Sequence, residues 1–334
     1  MKVLAYAVLA VAAFTASAQA ADQVSVQLDY VVRGNHAMFF VANEKGYFKK
    51  QGIEVTAVRK GTGSPNAMRL VGNGNAEFGF GDLPTLAVAR SQDVPVVALV
   101  AVNQHSPLGL LALSSKHKLK KPQDLKGLNL GVQPSGSTYI FLKAFLAANG
   151  MTLNDIKQST VTPPYENYLL LGRVDAVPGY LDAEVPELEA KAGGPGSLSI
   201  IQGSDYGYVV YGSGLFTSEK MIAEKSDLVQ RFVNAYQQAF ADVINNPEEA
   251  ADITIKANPE YAAKKDVLVK QIQADLKYTF FSDATKARGI GTMSTDVWQK
   301  TVKILSEQGA MKGTIDPAKA FTDKYVAASN PLKR

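Results

Sequence analysis

Val94-Pro95-Val96-Val97-Ala98-Leu99-Val100-Ala101-Val102 is an almost unbroken run of Val, Ala and Leu. A run this short and this apolar predicts a strand buried on both faces, as in a sheet covered by helices. The sequence before it agrees. Residues 25–30 alternate apolar and polar side chains, and residues 54–58 and 77–80 are further strand candidates. Helix signals separate them. Ser64 caps a segment with Pro65 at its first position, Ala67, Met68 and Val71 share one face, and Gly74 ends it. Asp82 precedes Leu86, Val88 and Ala89 in the same manner. Strands alternating with helices predict an α/β architecture with mostly parallel sheets flanked by helices.

A second series begins near Pro122. Residues 128–132 are a strand candidate, and Ser135-Gly136-Ser137-Thr138 opens a helix with Ile140, Phe141, Ala144, Phe145 and Ala148 on one stripe. Residues 174–177 and 198–201 supply short strands, and from Ser226 the apolar spacing is helical through Ile244. Residues 109–114 and 208–216 have the composition of crossings between two lobes. The expected organisation is a signal peptide over residues 1–20, a discontinuous lobe I over 21–110 plus 210–334, and lobe II over 111–209. Two α/β lobes joined by two crossing segments leave a cleft, the usual ligand site of such folds.

The 334 residues are 46% hydrophobic and 20% charged, a globular composition with length for two lobes. The 35 basic and 31 acidic residues nearly balance, so no basic face points to nucleic acid. There is no Cys, which excludes disulfides, thiol nucleophiles, thiolate metal sites and a lipid-bearing cysteine. Lys2, the apolar run over residues 3–14 and Ala18-Gln19-Ala20 form a basic, apolar and small-residue series typical of a cleaved export signal. The expected location is therefore the periplasm, as a protein without a lipid anchor.

Catalytic patterns are scarce. His36, His105 and His117 have no metal-ligand spacing, and no G-x-S-x-G elbow occurs. No metal and no cofactor are expected. Gly61-Thr62-Gly63-Ser64 lacks the third glycine of a dinucleotide fingerprint and the lysine of a phosphate loop. What it does offer is backbone N–H groups at a helix start, beside a loop small enough for close approach. The Ser135–Thr138 segment offers the same in lobe II. Tyrosines at element ends, Tyr30, Tyr165 and Tyr180 among them, are suited to an aromatic, hydrogen-bonding wall.

Several segments together resemble a known family. They are Leu28-Asp29-Tyr30, Asn35-His36-Ala37, Val41-Ala42-Asn43-Glu44-Lys45-Gly46-Tyr47-Phe48, Gly52-Ile53-Glu54-Val55 and Gly172-Arg173-Val174-Asp175-Ala176-Val177. In that order they resemble the periplasmic solute-binding proteins of ABC importers, in the branch that binds thiamine pyrimidines, alkanesulfonates, taurine or nitrate. Asn35-His36 and Val185-Pro186-Glu187-Leu188-Glu189 resemble the thiamine-pyrimidine binders most. Tyr30 stands where that group usually has Trp, and Val32-Arg33 where Pro-Asn is usual.

The resemblance implies a two-lobed binding protein, not an enzyme, that closes on a small heteroaromatic solute. It would pass the solute, as a monomer, to an inner-membrane ABC permease with its ATPase. An anionic organic solute is the alternative, and a pyrimidine-synthase-like enzyme a distant one. Eukaryotic relatives that make the pyrimidine use a cysteine-rich segment, which this chain lacks. The candidate ligand residues are Tyr30, Asn35, His36, Gly63, Ser64, Asp82 and Gln104 from lobe I, with Ser135, Ser137, Thr138, Tyr165, Tyr180, Asp182 and Glu184 from lobe II. Arg33 is expected to face outward as a solvated rim charge. Pointing inward, it would call for an anionic group on the ligand.

Overall fold

The computed structural model describes residues 20–162 and 164–329. The expected signal segment therefore lies, except for Ala20, outside the described residues.

Two five-stranded sheets form. The first contains β1 (Asp22–Gln27), β2 (Ile53–Arg59), β3 (Phe78–Asp82), β4 (Val96–Ala101) and β10 (Ser213–Ser218), in the order β2-β1-β3-β10-β4. The second contains β5 (Leu108–Leu113), β6 (Asn129–Val132), β7 (Lys157–Thr160), β8 (Ala176–Tyr180) and β9 (Leu198–Gln202), in the order β7-β6-β8-β5-β9. In each sheet a single strand runs against its neighbours. β10 is antiparallel to β3 and β4, and β5 is antiparallel to β8 and β9. These are the two strands that enter from the other lobe, so they arrive in the reverse direction. All six residues of β4 are buried, as the 94–102 run predicts.

The first crossing lies elsewhere than the composition suggested, while the return overlaps the expected 208–216 segment. Residues 109–114 are not a linker: most of them belong to β5, the second strand from the edge of the second sheet. The chain crosses before it, over residues 102–107, and returns over 207–212. The first strand also begins and ends three residues earlier than expected. It ends at Gln27, so Leu28, Asp29 and Tyr30 turn out of the sheet towards the other lobe.

The helix Ser226–Asn245 covers the first sheet, burying Leu228, Val229, Phe232, Val233, Tyr236, Phe240 and Val243 on one stripe. Phe232 stacks on Phe78 of β3 with ring centroids 3.7 Å apart and on Phe48 at 4.8 Å. The helices Ser137–Ala148 and Leu181–Ala192 flank the second sheet. Among the described residues no helix is long and apolar enough to cross a membrane. Phe232→Ala should remove the centre of the first core and cost about 3–5 kcal/mol. Urea unfolding should show a lower midpoint with an unchanged slope; an unmoved midpoint would place the core elsewhere.

Candidate functional site

The site begins where β1 ends. Gly61 N–H donates to Tyr30 O at 3.0 Å and Gly63 N–H to Asp29 O at 2.6 Å, so the 61–63 loop clamps the segment carrying Asp29 and Tyr30. The fit leaves no room for a side chain: a Cβ on Gly61 would lie 2.1 Å from Leu28 O. His36, in the short 3-10 turn Gly34–His36, accepts from Arg33 N–H through Nδ1 at 3.1 Å. Its Nε2 therefore carries the proton and donates to Asp29 Oδ1 at 3.0 Å. Ser64 Oγ reaches Asp29 Oδ2 at 3.4 Å and accepts from Asp82 N–H at 3.1 Å.

Lobe II supplies the facing wall. Ser137 and Thr138 open the helix Ser137–Ala148, and Ser137 Oγ lies 2.7 Å from Tyr180 OH at the end of β8. The chain then enters the helix Leu181–Ala192, placing Glu184 in its first turn. Acids are favoured there by the partial positive charge of the helix start. Tyr165 OH donates to Glu184 Oε1 at 2.5 Å.

Arg33 closes the gap between the lobes. It points inward, not outward as the sequence reading expected, because a buried partner awaits it 151 positions along the chain. Its guanidinium donates to Glu184 Oε1 and lies 3.8 Å from Glu166 Oε1. It sits over the Tyr30 ring, Cζ to centroid 4.4 Å, and 5.8 Å from the Tyr180 centroid. The remaining cavity is about 20 Å³, lined by Asp29, Tyr30, Arg33, Gly63, Ser64, Gln133, Gly136, Ser137, Thr138, Tyr165 and Tyr180. That holds little more than one water molecule.

Burial dominates the electrostatics. It pushes Asp82 up to about 7 against the hydrogen bonds from Thr85, and Glu184 up to about 8 against the attraction of Arg33. Burial works to lower the Arg33 guanidinium, but Glu184, Tyr165, Glu166 and Tyr30 outweigh it and raise the pKa. One cation thus faces two glutamates. Glu166 Oε2, Glu184 Oε2 and Tyr30 OH are buried without a protein partner.

Of the candidate residues, Tyr30, Gly63, Ser64, Ser137, Thr138, Tyr165 and Tyr180 line the cavity. Glu184 stands directly behind it, bonded to two of the lining side chains. The others are placed differently. His36 and Asp82 lie beneath the floor: His36 orients Asp29, and Asp82 caps the helix Leu83–Arg90 by accepting from Thr85 N–H and Oγ1. Asn35 is buried without lining the cavity, and its Oδ1 has no partner. Gln104 is a structural residue, donating to Ala101 O and Thr292 O and accepting from Ser282 Oγ. Ser135 is exposed and lines an outer groove instead. Asp182, one turn-face away from Glu184, lines a separate cavity beside the crossings and hydrogen-bonds with Asp275.

The candidate set omitted Asp29, Arg33, Gln133, Gly136 and Glu166. Asp29 had a signal, adjacent as it is to Tyr30 in the resemblance. Gly136 lies within the Ser135–Thr138 helix start, and Gln133 two residues before it. Glu166 had none.

Two curated relatives align over most of the chain. The riboflavin-binding protein RibY of Chloroflexus aurantiacus is 24% identical, covering 91% of this chain and 86% of its own. The formylaminopyrimidine-binding protein of Halalkalibacterium halodurans is 24% identical, covering 91% of each. Among solved structures, the alkanesulfonate-binding protein SsuA of Xanthomonas axonopodis pv. citri bound to MOPS superposes with a TM-score of 0.70 at 17% identity, over 91% of this chain and 99% of that one. This likeness establishes the two-lobed periplasmic-binding-protein fold. Residues 33–250, most of both lobes and the whole of the second sheet, match the pattern described as NMT1/THI5 like, and the chain belongs to that family.

Proposed function

We propose that this chain is the substrate-binding component of an ABC importer and captures a small, amino-bearing heteroaromatic solute of the thiamine-pyrimidine type. It works in the periplasm as a non-enzymatic monomer and delivers the solute to an inner-membrane permease with its ATPase. One observation carries the solute class. Three buried oxygens at the cleft lack partners: the carboxyl oxygens Glu166 Oε2 and Glu184 Oε2, and the OH of Tyr30, whose ring stands with Tyr165 and Tyr180. An aminopyrimidine supplies N–H donors to the oxygens and a flat π-face to the rings. A sulfonate or nitrate supplies neither donors nor a positive charge. The relatives named for formylaminopyrimidine and riboflavin support a flat nitrogen heterocycle.

Binding is tested with 4-amino-5-hydroxymethyl-2-methylpyrimidine and ethanesulfonate side by side. A bound solute raises stability by about 2.7 kcal/mol at a hundredfold excess over Kd. The pyrimidine should raise the melting temperature and ethanesulfonate should not; the reverse result would establish the anionic alternative. Chromatography of the recovered pyrimidine separates binder from enzyme, since a new product would end the non-enzymatic reading. Tyr30→Ala should weaken pyrimidine binding by roughly 1–3 kcal/mol in calorimetry, the worth of one stacked base. An unchanged enthalpy and affinity would take Tyr30 out of the site.

Proton linkage gives a further check. Asp82 and Glu184 sit at about 7 and about 8 in the folded chain. Both return to ordinary carboxylate values near 4 on unfolding. Between those limits the folded protein holds more protons, so stability is full at the acidic end and falls as pH rises through neutrality. Melting temperatures from about pH 5 to about pH 8.5 should decline in the wild type and decline less in Glu184→Gln. An identical slope in both would mean that Glu184 is not proton-bearing.

A further inference from the structure

Arg33 occupies the place that a flat, donor-bearing solute would take. Its guanidinium is planar, carries N–H donors and a positive charge, and lies over Tyr30 with Glu184 and Glu166 as acceptors. The residue belongs to lobe I, while both glutamates and Tyr165 belong to lobe II. The arginine is thereby one bridge between the lobes, beside those of Gln271 and Lys264, as well as the filling of the cleft. With about 20 Å³ left around it, no heteroaromatic ring enters while it stays.

The backbone beneath Arg33 is fixed from both sides. Arg33 N–H is held by His36, and Gly34 N–H donates to Gln271 Oε1 at 2.9 Å. Gln271 Nε2 reaches over the cleft to Ala183 O at 2.8 Å. The Cα is therefore anchored, so displacement of the guanidinium would come from the side-chain torsions alone.

We propose that Arg33 is a built-in counter-ligand: its guanidinium closes the lobes in the absence of solute, and an incoming solute binds by displacing it from Tyr30 and Glu184. The proposal rests on the cleft being the solute site. It adds that affinity is the difference between solute and guanidinium in one cage, and that specificity is for groups imitating a guanidinium, namely flat N–C–N units with in-plane N–H donors. A solute that merely paired with Arg33 would leave Tyr30 covered and Glu184 without its cation.

The consequence is a closed conformation that needs no ligand, which can be read without identifying one. In small-angle X-ray scattering of the unliganded protein, Arg33→Gln should give a larger radius of gyration than wild type, with unchanged circular dichroism. Glu184→Gln, which breaks the same bridge from lobe II, should do likewise, so that misfolding of one variant does not decide the matter. Calorimetry with 4-amino-5-hydroxymethyl-2-methylpyrimidine should show Arg33→Gln binding about tenfold tighter, because the population held closed by arginine is released. Equal radii in all three proteins, or a pyrimidine affinity that falls in Arg33→Gln, would overturn the counter-ligand. A protein that opens in both variants but binds pyrimidine in neither form would instead overturn the solute assignment and leave the arginine bridge standing.

Discussion

Everything at the cleft depends on two short crossings held as a pair. Asn103 joins them: Gly212 N–H donates to its backbone oxygen at 2.9 Å, and Ser213 N–H to its Oδ1 at 3.1 Å. Its amide then donates to Asp275 Oδ1 and Thr279 Oγ1, both at 2.7 Å. The helix Lys265–Tyr278 is thus fastened to the crossings at one end while Gln271, a turn earlier, touches both walls of the cleft. Each crossing enters its new sheet as the reversed strand, so each sheet is closed by chain arriving from the other lobe. Motion of one lobe against the other is resisted by the cleft contacts and the few crossing residues, and leaves each sheet intact.

The same region carries a further contact between the lobes. Asp182, from the helix Leu181–Ala192, and Asp275 are both buried, and burial raises both carboxyls above their ordinary values. Asp182 Oδ1 and Asp275 Oδ2 have no donor of their own, as expected of two carboxyls bridged by one proton. Arg33 and Glu184 act electrostatically on the lobe II member of this pair, Arg33 lowering the Asp182 carboxyl and Asp182 raising that of Glu184. The closed cleft therefore concentrates acids at several points, and only Arg33 among the cavity-lining side chains is a cation.

The alternation of strands and helices was legible because it is local. The 94–102 run, the Ser64-Pro65 start and the stripe beginning at Ser226 each declare themselves within one element. So did the two helix starts that meet across the cleft, with Ser64 on one side and Ser137 and Thr138 on the other. Tyr30, Tyr165 and Tyr180 were found by position at element ends. The failures share one cause: they turn on contacts between distant positions. An arginine in a loop is ordinarily exposed, and nothing near Arg33 announces Glu184. Asp182 and Glu184 look equivalent in sequence, yet two residues along a helix turn the side chain by about 200°, which sends Asp182 towards the crossings. His36 was correctly placed in the loop after β1 but lies one layer below the cavity, where it fixes Asp29. The segment 109–114 read as a linker because its neighbours do not reveal which sheet it joins.

Arg33 also shows why an inward-pointing cation does not by itself specify an anionic ligand. A guanidinium taken out of water costs several kcal/mol unless it is paired and hydrogen-bonded. Here the pairing is internal: Glu184 and Glu166 already supply the acceptors, and Tyr30 supplies a π-face. Adding an anion would place a third acceptor against two carboxyls and a single cation. Removing the guanidinium in favour of a neutral donor leaves Glu184 able to keep a proton, since burial already holds its pKa at about 8. The second exchange conserves the charge state the lobe II wall prefers, and the first does not. The sign of the ligand is therefore decided by the balance of groups around the arginine, most of which come from the other lobe.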